Sequence, residues 1–144
     1  MKNLIYLLLP LLLLTTCKKA EKLGSVEVKI TYHYSNYTGN VPDEGASIFL
    51  FKDEGKSIKF STVIRKGIVN YDGDPNPAQL LFEAKADAAG VAKIYGIPYG
   101  KYLIVAGSKG RILYAVKSIE VNSETQTLVK DFGFMDHDPL GESW

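Results

Sequence analysis

Residues 86–106 read Ala-Asp-Ala-Ala-Gly-Val-Ala-Lys-Ile-Tyr-Gly-Ile-Pro-Tyr-Gly-Lys-Tyr-Leu-Ile-Val-Ala. Two turn signals bracket two short apolar runs. Asp87-Ala88-Ala89-Gly90 is a turn, and Val91 to Tyr95 follows as a strand. Gly96-Ile97-Pro98-Tyr99-Gly100 is a second turn, and Lys101 to Ala106 is the next strand. Gly90 and Gly100 stand where tight turns favour positive φ. Pro98 stiffens the approach to the second strand. Tyr102 is placed to bury its ring and tie its hydroxyl to backbone.

Outward from this stretch the same texture continues. Val26, Val28, Ile30, Tyr32 and Tyr34 alternate with Glu27, Lys29, Thr31 and His33, which is the period of a half-buried strand. Residues 35–45 are a polar loop, and Ala46 to Lys52 is a strand apolar on both faces. Asp53-Glu54-Gly55-Lys56 turns into a strand over Ile58 to Ile64, which Gly67 to Tyr71 extends or pairs with. Asp72-Gly73-Asp74-Pro75-Asn76-Pro77 breaks the chain, because two prolines cannot sit in a central strand. Leu80 to Ala86 is extended again. Ile112 to Val121 and Thr125 to Phe132 complete the set, with turns at Gly107-Ser108-Lys109-Gly110 and Asn122-Ser123-Glu124. Short strands at this spacing predict an all-β sandwich or barrel of seven to nine strands. Residues 133–144 read as a tail that docks through Phe134, Leu140 or Trp144.

Three pieces in order carry a family resemblance. They are Val41-Pro42-Asp43-Glu44-Gly45-Ala46 before an apolar strand, Ala86-Asp87-Ala88-Ala89-Gly90, and Ile97-Pro98-Tyr99-Gly100-Lys101-Tyr102. Together they resemble the transthyretin-like (prealbumin-like) sandwiches of the carboxypeptidase regulatory-domain and Cna B-type superfamily. The resemblance covers about residues 25–132 and implies Greek-key connectivity. It departs at Ala86, where the family carries Thr, and over residues 56–84, which are longer than the family norm. Motifs of this kind speak to fold rather than function. The long 56–84 segment is the expected place for a partner contact.

The first seventeen residues speak to location. Lys2 precedes an apolar run from Leu4 to Leu14, too short to span a bilayer but long enough for a signal-peptide core. Leu14-Thr15-Thr16-Cys17 resembles the lipobox of bacterial lipoproteins, with Thr16 where Gly, Ala or Ser is usual. The resemblance implies cleavage after residue 16 and diacylglycerol and palmitate-type acyl chains on Cys17. Each buried methylene adds about 0.8 kcal/mol, so two or three chains hold firmly. The expected organisation is a signal peptide over 1–16, a lipidated Cys and tether over 17–24, a sandwich over 25–132 and a tail over 133–144. No acidic run follows Cys17, so an outer-membrane lipoprotein facing the periplasm is expected rather than one on the cell surface.

The candidate chemistry is sparse. The net charge is +1, which gives no footprint for nucleic acid. Cys17 is the only cysteine and is committed to the anchor, so no disulfide or Cys-based metal cage is expected. The chain has only His33 and His137, and ends Gly-Glu-Ser-Trp. The His sets and the terminal Tyr-Arg-Gly-Ser of enzymes on similar sandwiches are therefore not matched. Asp72, Asp74, Asn76, Ala78 and Glu83 follow a calcium-loop spacing, but Pro77 stands where that loop needs Gly. Asp136-His137-Asp138 is a polar tail. No catalytic residue, metal or cofactor is expected. Cna B-type domains join a first-strand Lys to a last-strand acid or amide, which points to Lys29 and Asp131; Lys29 belongs to the solvent face of its strand. Tyr37 and Tyr71 fall in predicted loops and are candidate platforms for stacking on sugar. The expected role is a non-catalytic interaction or accessory module. It would be tethered to membrane through Cys17 and would meet an envelope protein or polysaccharide. Glycan binding by loop aromatics is the alternative.

Overall fold

The computed structural model describes residues 20–33, 39–59, 64, 67–111, 113–133 and 142–144. Among them are β1 (Leu23–Tyr32), β2 (Val41–Pro42), β3 (Ser47–Lys52), β4 (Ile58–Lys59), β5 (Asn70–Tyr71) and β6 (Leu80–Lys85). They continue with β7 (Val91–Pro98), β8 (Gly100–Gly107), β9 (Tyr114–Val121), β10 (Gln126–Asp131) and β11 (Glu142–Ser143). Among the described residues the fold is an all-β sandwich, with four strands in one sheet, five in the other, and β4 and β5 as a separate pair.

The period-two pattern in β1 does what it predicts. Val26, Val28 and Ile30 are fully buried while Lys29 faces water. β1 is the middle of the first sheet. β10 lies along one side in parallel, and β7 and then β2 run antiparallel along the other. The second sheet has the order β11-β9-β8-β3-β6. Ile48, Leu50, Ile104, Ala106, Ala115 and Ile119 from this sheet meet the β1 residues in one core. β1 begins at Leu23, two residues before the sandwich boundary read from the sequence.

β3 is apolar on both faces because both faces are covered. Its other face presents Phe49 and Phe51, beside Leu103, Val105 and Tyr114. Among the described residues of 56–79, Ile64, Val69, Tyr71 and Ala78 lie on that face, with Ile58 packed alongside. The long segment is thus a third layer, anchored by its own apolar residues. Among the described residues of the run Ile58 to Ile64, Ile58–Lys59 is strand and Ile64 lies in a 3-10 turn. The expected pairing with Gly67–Tyr71 is present in short form, between β4 and β5.

The turn at 87–90 forms as read. The Asp87 carboxylate accepts the N–H groups of Ala89 and Val91, and Gly90 has φ 75°. A Cβ at Gly90 would strike the Ile30 carbonyl, so both backbone sign and space demand glycine there. The second turn differs from expectation. Positive φ falls on Gly96 (68°), not Gly100, because β7 runs on to Pro98 through Gly96 and reverses only afterwards. The Tyr102 hydroxyl donates to the Pro98 carbonyl at 2.7 Å from a buried ring, as the sequence predicts.

Two segments read as irregular contain strands. Val41–Pro42, inside the expected loop, pairs with Thr31 and Tyr32 of β1. Glu142–Ser143, inside the expected tail, pairs in parallel with Ala115 and Val116 of β9. Trp144 docks as expected, donating from Nε1 to the Val129 carbonyl on the outer edge of β10. Phe134 and Leu140 lie outside the described residues.

Candidate functional site

Strand directions give the sandwich two ends. At one end β1 begins beside the β7–β8 turn and the β9–β10 turn. At the other lie the end of β1, the β2–β3 connection, the 87–90 turn and the β8–β9 loop. The second end carries a polar cluster built around Asp43, which is 1% exposed. Its carboxylate accepts the Ser108 hydroxyl and the backbone N–H groups of Lys109 (3.1 Å) and Gly110 (3.0 Å). Ser108 Oγ in turn accepts the Arg111 N–H at 3.0 Å. One buried carboxylate thereby fixes the β8–β9 loop to the start of β3. Gly110 fits because its missing Cβ leaves space for the Tyr32 ring, which would otherwise stand 2.6 Å away.

A second group adjoins it. His33 Nε2 lies 3.1 Å from Asp131 Oδ2, and Asn40 Nδ2 donates to the same oxygen at 3.2 Å. Gly133 N–H donates to Asp131 Oδ1, and Arg111 reaches the His33 carbonyl at 3.3 Å. Burial pushes the Asp131 carboxyl up, but the Gly133 N–H and the His33 ring outweigh it and hold it below its ordinary value. Asn40 Nδ2 also reaches Thr31 Oγ1 at 3.5 Å, so the contacts run from Thr31 through Asn40 and Asp131 to His33. A nucleophilic triad needs the imidazole in the middle. Here the carboxylate is in the middle, an arrangement that orders loops rather than activates a hydroxyl.

The 56–79 layer provides a different feature, an open cleft of about 590 Å³ lined by Lys59, Asn70, Tyr71, Gly73, Asp74 and Pro75. Lys56 bridges it to the preceding turn, 2.8 Å from Asp74 and 2.6 Å from Glu54, with its ammonium 5.2 Å from the Tyr71 ring centre. These bonds raise the Lys56 pKa and lower that of Asp74.

The residues singled out in the sequence fare differently. Tyr71 is not an exposed platform: it is 2% exposed in β5, its ring packed in the second apolar cluster and its hydroxyl donating to the Lys52 carbonyl. The apolar packing of Tyr71 against the sheet face outweighs the polar neighbours that suggested a loop. Tyr37 and Cys17 lie outside the described residues, as does Asp136-His137-Asp138. Lys29 and Asp131 do not meet. Lys29 is exposed and in register with Val129, and Asp131 belongs to the His33 group. The buried lysine is Lys130, whose ammonium stands 5.1 Å from the Phe132 ring centre. In the calcium-like stretch, Asp74 is taken by Lys56 and by the Asn76 N–H. Asp43 and Ser108 were missed. Their signal, polar residues beside Gly in turns, is the same one that solvated turns give.

An all-β sandwich with loops locked at one end is the class that the fold defines. No family model matches the chain, and no curated protein matches it in sequence. Among solved structures the chain is similar to a Pseudomonas aeruginosa protein of proposed carbohydrate binding, at 15% identity and TM-score 0.47, over 81% of this chain and 92% of that one. It is also similar to a minor pilin of Streptococcus agalactiae, at 14% identity and TM-score 0.43, over 78% of this chain and 44% of the pilin. An (S)-allantoin synthase is similar at 12% identity and TM-score 0.42, over 77% of this chain and 41% of the enzyme.

Proposed function

We propose that this chain is a lipoprotein of a bacterial cell envelope that serves as a non-catalytic interaction or accessory module. Lipid on Cys17 anchors it to the outer membrane, facing the periplasm. The observation that carries this reading is the polarity of the sandwich. β1 starts six residues after Cys17, and the locked polar loops around Asp43 and Asp131 lie at the opposite end. A tether at one end and pre-ordered loops at the other suit a module that presents a surface to an envelope protein. Pre-ordering removes part of the entropic cost of binding.

The test is fractionation and photocrosslinking in intact cells, with a photoreactive amino acid at position 88 in the loop end or position 68 in the third layer. One abundant envelope protein captured from position 88, with the chain in the membrane fraction, is the expected result. Capture from position 68 alone moves the contact to the third layer. Recovery of the chain in the soluble fraction overturns the anchor.

A glycan reading is favoured by one observation, the cleft beside Lys59, Asn70 and Asp74. Its polar lining would bind sugar hydroxyls through hydrogen bonds, without the stacking first expected of Tyr71. Asn70→Ala would then lower retention on polysaccharide or peptidoglycan. Unchanged retention removes this reading.

A further inference from the structure

Seven large apolar side chains are exposed among the described residues, and three of them share one end of the sandwich. They are Leu23 (53% exposed), Tyr95 (69%) and Tyr99 (36%). Register brings them together. Leu23 pairs with Pro98, Ser25 with Tyr95, and the Tyr99 N–H donates to the Lys22 carbonyl at 3.0 Å. Gly24, the neighbour of Leu23, leaves no room for a Cβ, which would strike the Ser123 carbonyl and Val121, so the start of β1 and the β9–β10 turn lie close together at this end. This is the end where β1 begins.

From these facts we infer that Leu23, Tyr95 and Tyr99 form a membrane-docking surface that rests on the lipid headgroup layer. The inference rests on the lipid anchor proposed above and deepens it. The occupant follows from chain length. Six peptide steps separate Cys17 from Leu23, a reach of about 20 Å at most when fully extended. A sandwich so tethered keeps this end within that distance of the bilayer. Tyrosine belongs chemically at that level, with an apolar ring and a polar hydroxyl. Lys18, Lys19 and Lys22, against the single Glu21, add attraction to anionic headgroups. Docking here holds the polar loop end away from the membrane and gives the domain one orientation.

The test uses the full lipidated chain in vesicles of phosphatidylethanolamine and phosphatidylglycerol. Cys17 is the only cysteine, so once lipidated it leaves an introduced thiol as the sole labelling site. Nitroxide labels are placed through Glu124→Cys, in the turn whose Glu124 carbonyl accepts the Ser25 N–H, and through Ala88→Cys at the far end. The expected result is loss of accessibility to a nickel chelate, with oxygen accessibility kept, at position 124 but not at 88. Adding Leu23→Ser, Tyr95→Ser and Tyr99→Ser should return position 124 to aqueous values, with thermal unfolding confirming that the fold persists. Aqueous values at 124 in a chain that still floats with vesicles overturn the docking and leave the anchor standing. A triple variant that changes nothing at 124 overturns the docking surface. A label shielded from both reagents reports contact with a second copy and overturns it too. A free Cys17 thiol overturns the anchor and, with it, the docking.

Discussion

Asp43 shows how much one side chain can organise. It is buried, accepts three hydrogen bonds from the β8–β9 loop, and holds that loop to the start of β3. Replacing it with alanine leaves a hydroxyl and two amide N–H groups without acceptors. Asp43→Ala should cost about 3 kcal/mol and Ser108→Ala about 1 kcal/mol, read from urea unfolding midpoints. Asp131 supports a pH statement. Its carboxyl is held below the ordinary value of 3.8, so it contributes stability that is present above that value and lost as pH falls from there through the lower folded-state value. Carbon-detected NMR titration should show His33→Ala moving the Asp131 midpoint upward, and acid unfolding moving to higher pH with it. At this scale the sequence was legible where geometry is strict. Gly90 and Tyr102 read correctly because a positive φ and a buried phenol each need a particular residue. Asp43 was not legible, because a buried turn aspartate and a solvated one look alike until the loop that reaches it is known.

Elements show why the strands were easier to read than their partners. β1, β3, β8 and β9 carry strong apolar patterns and fall close to their expected positions. The two-residue strands β2, β4, β5 and β11 carry no pattern of their own, since two residues have no period. They exist because a neighbour offers backbone groups. The 56–84 segment reads as an unusually long stretch open to a partner, and its apolar residues are scattered. Scatter suits a layer that touches a sheet at intervals through Ile64, Val69 and Tyr71. The C-terminal residues close a seam: β11 extends the second sheet at β9, and Trp144 bonds to the edge of the first sheet at Val129. Trp144→Ala should lower stability by about 1–2 kcal/mol, from the lost indole bond and lost packing. Amide hydrogen exchange should show its largest gain along β10 and the start of β9. A uniform change across both sheets would refute this assignment of the seam.

At the scale of the whole molecule, the proposed function places attachment at the end where β1 begins and recognition at the end that carries Asp43 and Asp131. The opening residues and the lipobox-like Leu14-Thr15-Thr16-Cys17 suggest the attachment in sequence. The aromatic group beside it was not legible, because Leu23, Tyr95 and Tyr99 come together only through the β1–β7 register and the turn that follows. The central place of β1 has a consequence for timing. Val26 pairs with Gln126, a hundred positions on, and Lys29 with Val91 on the opposite side. The first strand synthesised therefore waits for nearly the last before its sheet can close, and closing so long a loop makes folding slow. A chain that stays unfolded until its end emerges is one a secretion channel can thread. Stopped-flow refolding of the intact domain should accordingly take milliseconds to seconds, and nascent chains ending before Gln126 should remain open to protease.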